Sequence, residues 1–327
     1  MKKIKLGKTE AAISLIGLGT WAMGGGPAWG GDKELDACIN TIRSCPGIGV
    51  NLIDTAPAYN FGNSERIICQ ALSDMDREEL VVVTKCGIVW TREGSLFNKL
   101  GDTQLYKNLS RESIMDEIQQ SLERLGLDYV DIYMTHWQSV EPFFTPISET
   151  MEALNELKSK GLIKGIGVSN ATPVQIKEYL NYGDLDIVQG KYSILDRAAE
   201  EELLPLCRFH DIVFQAYSPL EQGLLSGSFG RDYIPADGTA RKNKKWFQPS
   251  HLPSVIDMLD SWHDLCQKYN CTLSNLAIAW LLAQDGPITV LSGATSSSHL
   301  EENVKAASIT LSKEEAAWMR QTAQTLD

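Results

Sequence analysis

"SRESIMDEIQQSLERLGLDYVDIYMTHW", residues Ser110 to Trp137, contains a helix and a strand in succession, and the recurrence of that pair decides the fold. Ile114, Ile118, Leu122 and Leu125 lie on one helical stripe, with Ser110 suited to cap its start and Gly126 to stop its end. Tyr129–Thr135 then reads as a short buried strand, and polarity returns at His136.

Seven further apolar runs share this character: Ser14–Leu18, Asn51–Thr55, Leu80–Thr84, Ile163–Ser169, Asp186–Lys191, Ile212–Ser218 and Ile288–Ser292. Helical patterns separate them. In "DKELDACINTIRSC" Leu35, Cys38, Ile39 and Ile42 share a stripe, and "SETMEALNELKSKG" and "SNLAIAWLLAQ" behave alike. Strands alternating with helices imply a parallel sheet, and eight units over this length favour a closed (β/α)8 TIM barrel over an open doubly wound sheet. No composition break divides the chain, so residues 1–327 are expected to form a single domain. "KKIKLGKTEAAISLI" suggests an N-terminal β-hairpin before the barrel. Two stretches are longer than ordinary connections, Cys86–Asn108 and Glu221–Pro253; as long loops at the C-terminal face they are expected to set substrate choice and cofactor release.

Composition narrows the function. The 42 acidic and 30 basic residues give a net charge of −12, which repels nucleic acid and anionic membrane. Arg241, Lys242, Lys244 and Lys245 form the one dense cationic run and read as a solvated loop. The N-terminus lacks the apolar core of a signal peptide, and no stretch is long and apolar enough to span a bilayer. Seven scattered cysteines without a C-x-x-C pair suit a reducing cytoplasm, and the five histidines show no metal spacing.

Active sites of parallel barrels lie where the strands end. Asp54, Lys85 and His136 end the second, third and fourth runs, so three ionisable groups stand on one rim. Each alone suits a structural ion pair or a hydrogen-bonded histidine. Tyr59, just past the second run, changes the reading: an ammonium favours a phenolate, so Lys85 is expected to lower the pKa of Tyr59 and make it a proton donor near neutrality. Asp54 would hold Lys85 in place and charged. A site that supplies a proton but has neither metal nor obvious nucleophile needs a partner for the harder chemistry, and a nicotinamide hydride is the natural one. "GLGTWAMGGG" (Gly17 to Gly26) is not the G-x-G-x-x-G fingerprint, and no tyrosine has a lysine four residues later.

In order and context ("LIDTAPAYNFGNSE", "VVVTKC", "DIYMTHW"), these four residues resemble the catalytic tetrad of the aldo-keto reductases. "GLGTW", "IKGIGVSN", "IVQGKYS", "QAYSPLEQGLLSG" and "LSGATSSSHLEENVKA" resemble further blocks of that family from about Gly17 to Ala306, most closely in bacterial members related to potassium-channel β subunits. The resemblance implies Tyr59 as general acid, Lys85 and Asp54 as its partners, and His136 orienting the substrate carbonyl. It also implies a cofactor set: Ser169, Asn170 and Gln189 on the nicotinamide carboxamide, Tyr217 stacked on the ring, Ser218, Leu220, Gly223 and Leu225 along the pyrophosphate. Gly293, His299, Glu302 and Asn303 would lie near the adenosine, and Gly19, Thr20, Trp21 and Asp54 would join the set. Trp21 and Trp90 would line an apolar substrate mouth.

Family members that prefer NADPH carry a cation in the last block for the 2′-phosphate, whereas Ser292–Asn303 has none and contains Glu301 and Glu302. NADH is therefore expected over NADPH, with nearby Lys305 the one residue able to compensate. The expected partner is a small carbonyl substrate, methylglyoxal first. Monomer and homo-oligomer both stay open. Two other readings compete. One is a cofactor-sensing regulatory subunit; the other is a Schiff-base lyase using Lys85, opposed by Asp54, which keeps the amine protonated.

Overall fold

A computed structural model describes residues 1–326. Eight strands form a closed parallel barrel: β1 (Ile16–Gly19), β2 (Leu52–Asp54), β3 (Val81–Cys86), β4 (Val130–Thr135), β5 (Ile163–Ser169), β6 (Ile187–Lys191), β7 (Val213–Tyr217) and β8 (Ile288–Gly293). Each pairs with its successor, and β8 closes on β1 through Val290 opposite Ile16 and Gly293 opposite Gly19. Helices α1 (Leu35–Ser44), α2 (Asn63–Leu72), α3 (Arg111–Leu125), α4 (Ile147–Ser159), α5 (Pro173–Leu180) and α6 (Leu203–Phe209) separate the first seven strands. The three helices α7 (Leu252–Ser261), α8 (His263–Tyr269) and α9 (Leu273–Leu282) lie between β7 and β8. After β8 come α10 (Ser297–Val304) and α11 (Lys313–Gln324). Among the described residues no helix is long and apolar enough to cross a membrane.

Local chemistry sets these elements. The stripe Ile114, Ile118, Leu122 and Leu125 is buried, the Ser110 hydroxyl accepts the Ser113 N–H, and Gly126 takes the left-handed conformation (φ 65°) that ends α3. Side chains alternate along each strand, which creates two apolar layers. Leu52, Val81, Val83, Ile132, Met134, Ile187, Val213 and Leu291 fill the barrel, while Ile53, Val82 and Tyr133 point outward to the helices.

The expected hairpin is present: Lys3–Lys5 pairs antiparallel with Ala12–Ser14. It brings Leu6 and Ile13 into the inner layer as a plug at the N-terminal end of the barrel. Asp186, fully buried, fastens the plug: its carboxylate accepts from Lys8 N–H and Ile166 N–H, both at 2.9 Å. Gly7 makes this approach possible, since a Cβ there would come within 2.5 Å of the Asp186 Cα.

The two long stretches carry more structure than their sequences announce. Within Cys86–Asn108 the segments Ile88–Val89, Ser95–Leu100 and Thr103–Lys107 form a three-stranded antiparallel sheet, largely solvated, so no apolar run marks it. Glu221–Pro253 is pinned by buried Trp246 and Phe247 and by a cluster of Phe229, Tyr233 and Phe247. The cationic run departs from the expected solvated loop at Arg241, which is half-buried over the rings of Trp29 and Phe229 and donates to Gln222 O at 2.9 Å.

Asp186→Ala removes the acceptor of two backbone donors at the plug, and each unsatisfied buried donor costs about 1–3 kcal/mol. Urea unfolding is expected to show a loss of about 2–4 kcal/mol with an unchanged m-value and little change in turnover.

Candidate active site

Period-two alternation raises a polar layer directly above the apolar filling. Leu52 is followed inward by Asp54, Val83 by Lys85, Ile187 by Gln189, and Val213 by Gln215. His136 continues the inward series of Ile132 and Met134. Asp54, Lys85 and His136 lie at the carboxyl ends of their strands, and Gln189 and Gln215 in the middle of β6 and β7.

Asp54 and Lys85 form a fully buried ion pair at 2.6 Å. The second Asp54 oxygen accepts from Gln189 Nε2 at 2.8 Å. Lys85 Nζ also donates to Thr55 O (2.9 Å) and to the Tyr59 hydroxyl (3.2 Å). Its three N–H groups thus meet three oxygens, the arrangement of an ammonium. That geometry leaves no lone pair for a Schiff base.

Tyr59 enters from the turn after β2, where Asn60, Phe61 and Gly62 take positive φ before α2 begins. Its ring lies 5.8 Å from His136, edge to face, and 6.3 Å from Trp21, which packs in turn on Trp29. Trp90 reaches this group through Phe61, at 5.3 Å. Of the two tryptophans expected at the mouth, Trp21 therefore packs on Tyr59 itself and Trp90 on Phe61, two residues along.

Burial governs the titrations. It pulls both members of the ion pair toward neutrality, the Asp54 carboxyl up and the Lys85 ammonium down, and each partner's charge opposes that pull. The expected lowering of Tyr59 is reversed: burial, then the Asp54 carboxylate, pushes the phenol well above its usual range. Tyr59 keeps its proton at neutral pH, as a proton donor must. Burial, reinforced by the Lys85 charge, drives His136 well below the usual imidazole range.

Six residues of the expected cofactor set, Thr20, Asp54, Ser169, Asn170, Gln189 and Tyr217, join one hydrogen-bond network with this centre. Ser169 Oγ donates to Gln189 Oε1 (3.0 Å), Asn170 Nδ2 to His136 O (2.9 Å) and to Ser169 Oγ (3.1 Å), and Tyr217 to Asn170 Oδ1 (2.8 Å). Gly19 pairs with Asp54 across β1 and β2, and Thr20 Oγ1 donates to Asp54 O at 2.8 Å. Ser218, Leu220, Gly223 and Leu225 lie on the turn after β7, with Ser218 accepting from Gln222 Nε2. Around the barrel, Gly293 ends β8, His299 and Glu302 lie on α10, and Asn303 donates to Ser292 Oγ at 2.8 Å. The residues expected at the adenosine and those expected at the carboxamide thus lie on different strands of one rim, the former at β8 and α10 and the latter at the end of β5 and on β6.

Gln215 is a site residue the sequence reading passed over. Its Oε1 accepts from Gln189 at 2.7 Å, and its buried Nε2 has no hydrogen-bond partner among the described residues. A buried unpaired amide beside Ser169, Asn170 and Gln189 fits a polar planar group such as a carboxamide. The alternation in "VFQAY" would have located it. Trp29 and Phe61, which build the aromatic rim, carry no comparable signal.

A family model described as the aldo/keto reductase family matches residues 15–324. The chain is 61% identical over 327 residues, all of both chains, to an NADH-specific methylglyoxal reductase of Escherichia coli (strain K12). It is 31% identical over 320 residues to a probable voltage-gated potassium channel subunit beta of Arabidopsis thaliana, covering 94% of this chain and 92% of the relative. A solved glycerol dehydrogenase from Gluconobacter oxydans superposes with a TM-score of 0.89 at 29% identity, over 99% of this chain and 95% of that one. The barrel, the buried rim pair and the match over nearly the full chain agree: this protein belongs to the aldo/keto reductase family.

Proposed function

We propose that the enzyme reduces small aldehydes and ketoaldehydes, methylglyoxal first among them, at the expense of NADH. The observation that carries this reading is the placement of Lys85 Nζ, 2.6 Å from Asp54 and 3.2 Å from the Tyr59 hydroxyl. When bound, the nicotinamide supplies the hydride. As the carbonyl oxygen gains negative charge, Tyr59 gives it a proton. Lys85 stabilises the phenolate left behind, and Asp54 and Thr55 O hold Lys85 in place. His136, neutral through burial, hydrogen-bonds the carbonyl without competing as an acid. Trp21 and Trp90, with Phe61, form the apolar mouth that suits a small substrate.

Ser169, Asn170, Gln189 and Gln215 would hold the carboxamide, Tyr217 the ring face, and the turn after β7 the diphosphate. Lys305, the cation that follows α10, is tied to Glu302, which supports NADH over NADPH. The E. coli relative, named as NADH-specific, supports it too. We read residues 1–327 as one domain working in the cytoplasm, where its seven free thiols would persist. The regulatory-subunit reading draws on plant β-subunit relatives, at about half the identity of the bacterial reductase.

Tyr59→Phe is expected to lower turnover of methylglyoxal with NADH by about 10²–10⁴-fold, the usual worth of a general acid, while NADH still quenches protein fluorescence. Retained turnover would remove Tyr59 from the mechanism. NADPH is expected to give the lower kcat/KM.

His136 generates a stability prediction. Its folded pKa lies below the ordinary value near ~6.5, so below that pH the unfolded chain binds a proton that the folded chain refuses. Stability is therefore present above about pH 6.5 and lost on acidification. Urea midpoints measured from pH 7 to pH 5 are expected to fall more steeply for wild type than for His136→Asn; equal slopes would refute this.

A further inference from the structure

The turn after β7 has an uncommon backbone. Ser218, Glu221 and Gln222 all take positive φ, at 55°, 46° and 54°, ahead of Gly223 at 94°. Left-handed residues other than glycine persist where their surroundings hold them. Glu221 N–H donates to Ser218 O (3.0 Å) and Gly223 N–H to Leu220 O (2.9 Å). The N–H groups of Leu220 and Gln222 make no protein hydrogen bond among the described residues. Successive turn amides of this kind form a concavity for an anion.

Glu221 runs against that purpose. It is the single acidic residue of Ser218–Leu225, and its side chain is 2% exposed. A buried carboxylate beneath an anion cradle repels the anion unless a cation cancels it. Lys191, the last residue of β6 and in register with Tyr217, supplies the cation: its Nζ lies 3.1 Å from Glu221 and 2.7 Å from Asp196. Ser193 Oγ donates to the other Glu221 oxygen at 2.7 Å. The turn is thereby fastened to the end of β6 by one ion pair and one hydrogen bond.

We infer that Lys191 is a positioning residue for the diphosphate of the dinucleotide, cancelling the Glu221 charge and tying the Ser218–Leu225 turn to β6. This rests on the reading of the rim as a dinucleotide site. Removing the ammonium leaves Glu221 and Asp196 without their shared ion-pair partner, and the cation still touching the turn is Arg241, which donates to Gln222 O. Removing the Glu221 charge as well takes away the larger part of the repulsion, while glutamine still accepts from Ser193. Among the described residues no hydrogen bond or ion pair joins Lys191 or Glu221 to Tyr59, Lys85 or His136, so the effect falls on cofactor affinity rather than on the chemical step.

Lys191→Met, Lys191→Arg, Glu221→Gln and the Lys191→Met/Glu221→Gln double variant of the full chain test this. NADH and NADPH affinity is read by fluorescence quenching, kcat with methylglyoxal at saturating NADH, and folding by circular dichroism. Lys191→Met is expected to weaken NADH about tenfold with kcat nearly unchanged, as for loss of one charge-assisted contact. Lys191→Arg and the double variant are expected to return to within about threefold of wild type. Glu221→Gln alone should bind NADH as well as wild type or better, an arm that stands even where Lys191→Met fails to fold. Unchanged affinity in Lys191→Met, a double variant no better than it, or weakened binding in Glu221→Gln would each overturn the inference. A wild type that binds neither dinucleotide overturns the reading of the site together with it, whereas binding without turnover of any carbonyl overturns the proposed activity alone.

Discussion

The buried pair of Asp54 and Lys85 is the constraint around which the upper half of the barrel is organised. Two opposite charges taken out of water are costly, and breaking such a pair by removing one member costs more than the pair contributes. The cost is met by saturation: each Asp54 oxygen has a donor and each Lys85 N–H an acceptor. Gln189 is shared between Asp54, Ser169 and Gln215, so three neighbouring strands are committed to the position of one carboxylate. The phenol of Tyr59 is the last acceptor in that shell, and its location follows from the pair.

Much of this was legible because strands alternate. Once Leu52, Val83 and Ile187 are read as inward, Asp54, Lys85 and Gln189 must be inward too, one layer higher. Spacing also gave the α3 stripe, its cap at Ser110 and its stop at Gly126, since each depends on residues close in sequence. The sheet within Cys86–Asn108 did not show itself, because its two longer strands are mostly solvated and bury no continuous apolar face. Nor did the direction of the Tyr59 shift. Proximity to an ammonium was readable from order along the chain, but burial, the larger effect, depends on what Trp21, His136 and the rest of the rim pack against it.

The rim is closed over by aromatic and cationic side chains from segments far apart in sequence. Trp21 packs on Trp29, Arg241 covers Trp29 and Phe229, and Ala240 N–H donates to Ala28 O at 2.9 Å. The long connection after β7 thus meets the glycine-rich segment after β1 across the mouth. A cation over aromatic faces gains its attraction while keeping its remaining donors directed elsewhere, which suits a contact that anchors a loop without filling the site.

The plug under the barrel has a consequence for how the enzyme can change. Leu6, Ile13 and Asp186 lie at one end of the strands, and the reactive layer begins about 10–15 Å higher on the same strands. Sites that far apart with no shared partner contribute to stability additively. Reserve gained by improving the fit of the hairpin is therefore available to offset destabilising substitutions around the mouth, so new substrate preferences can be explored above without the barrel coming apart below.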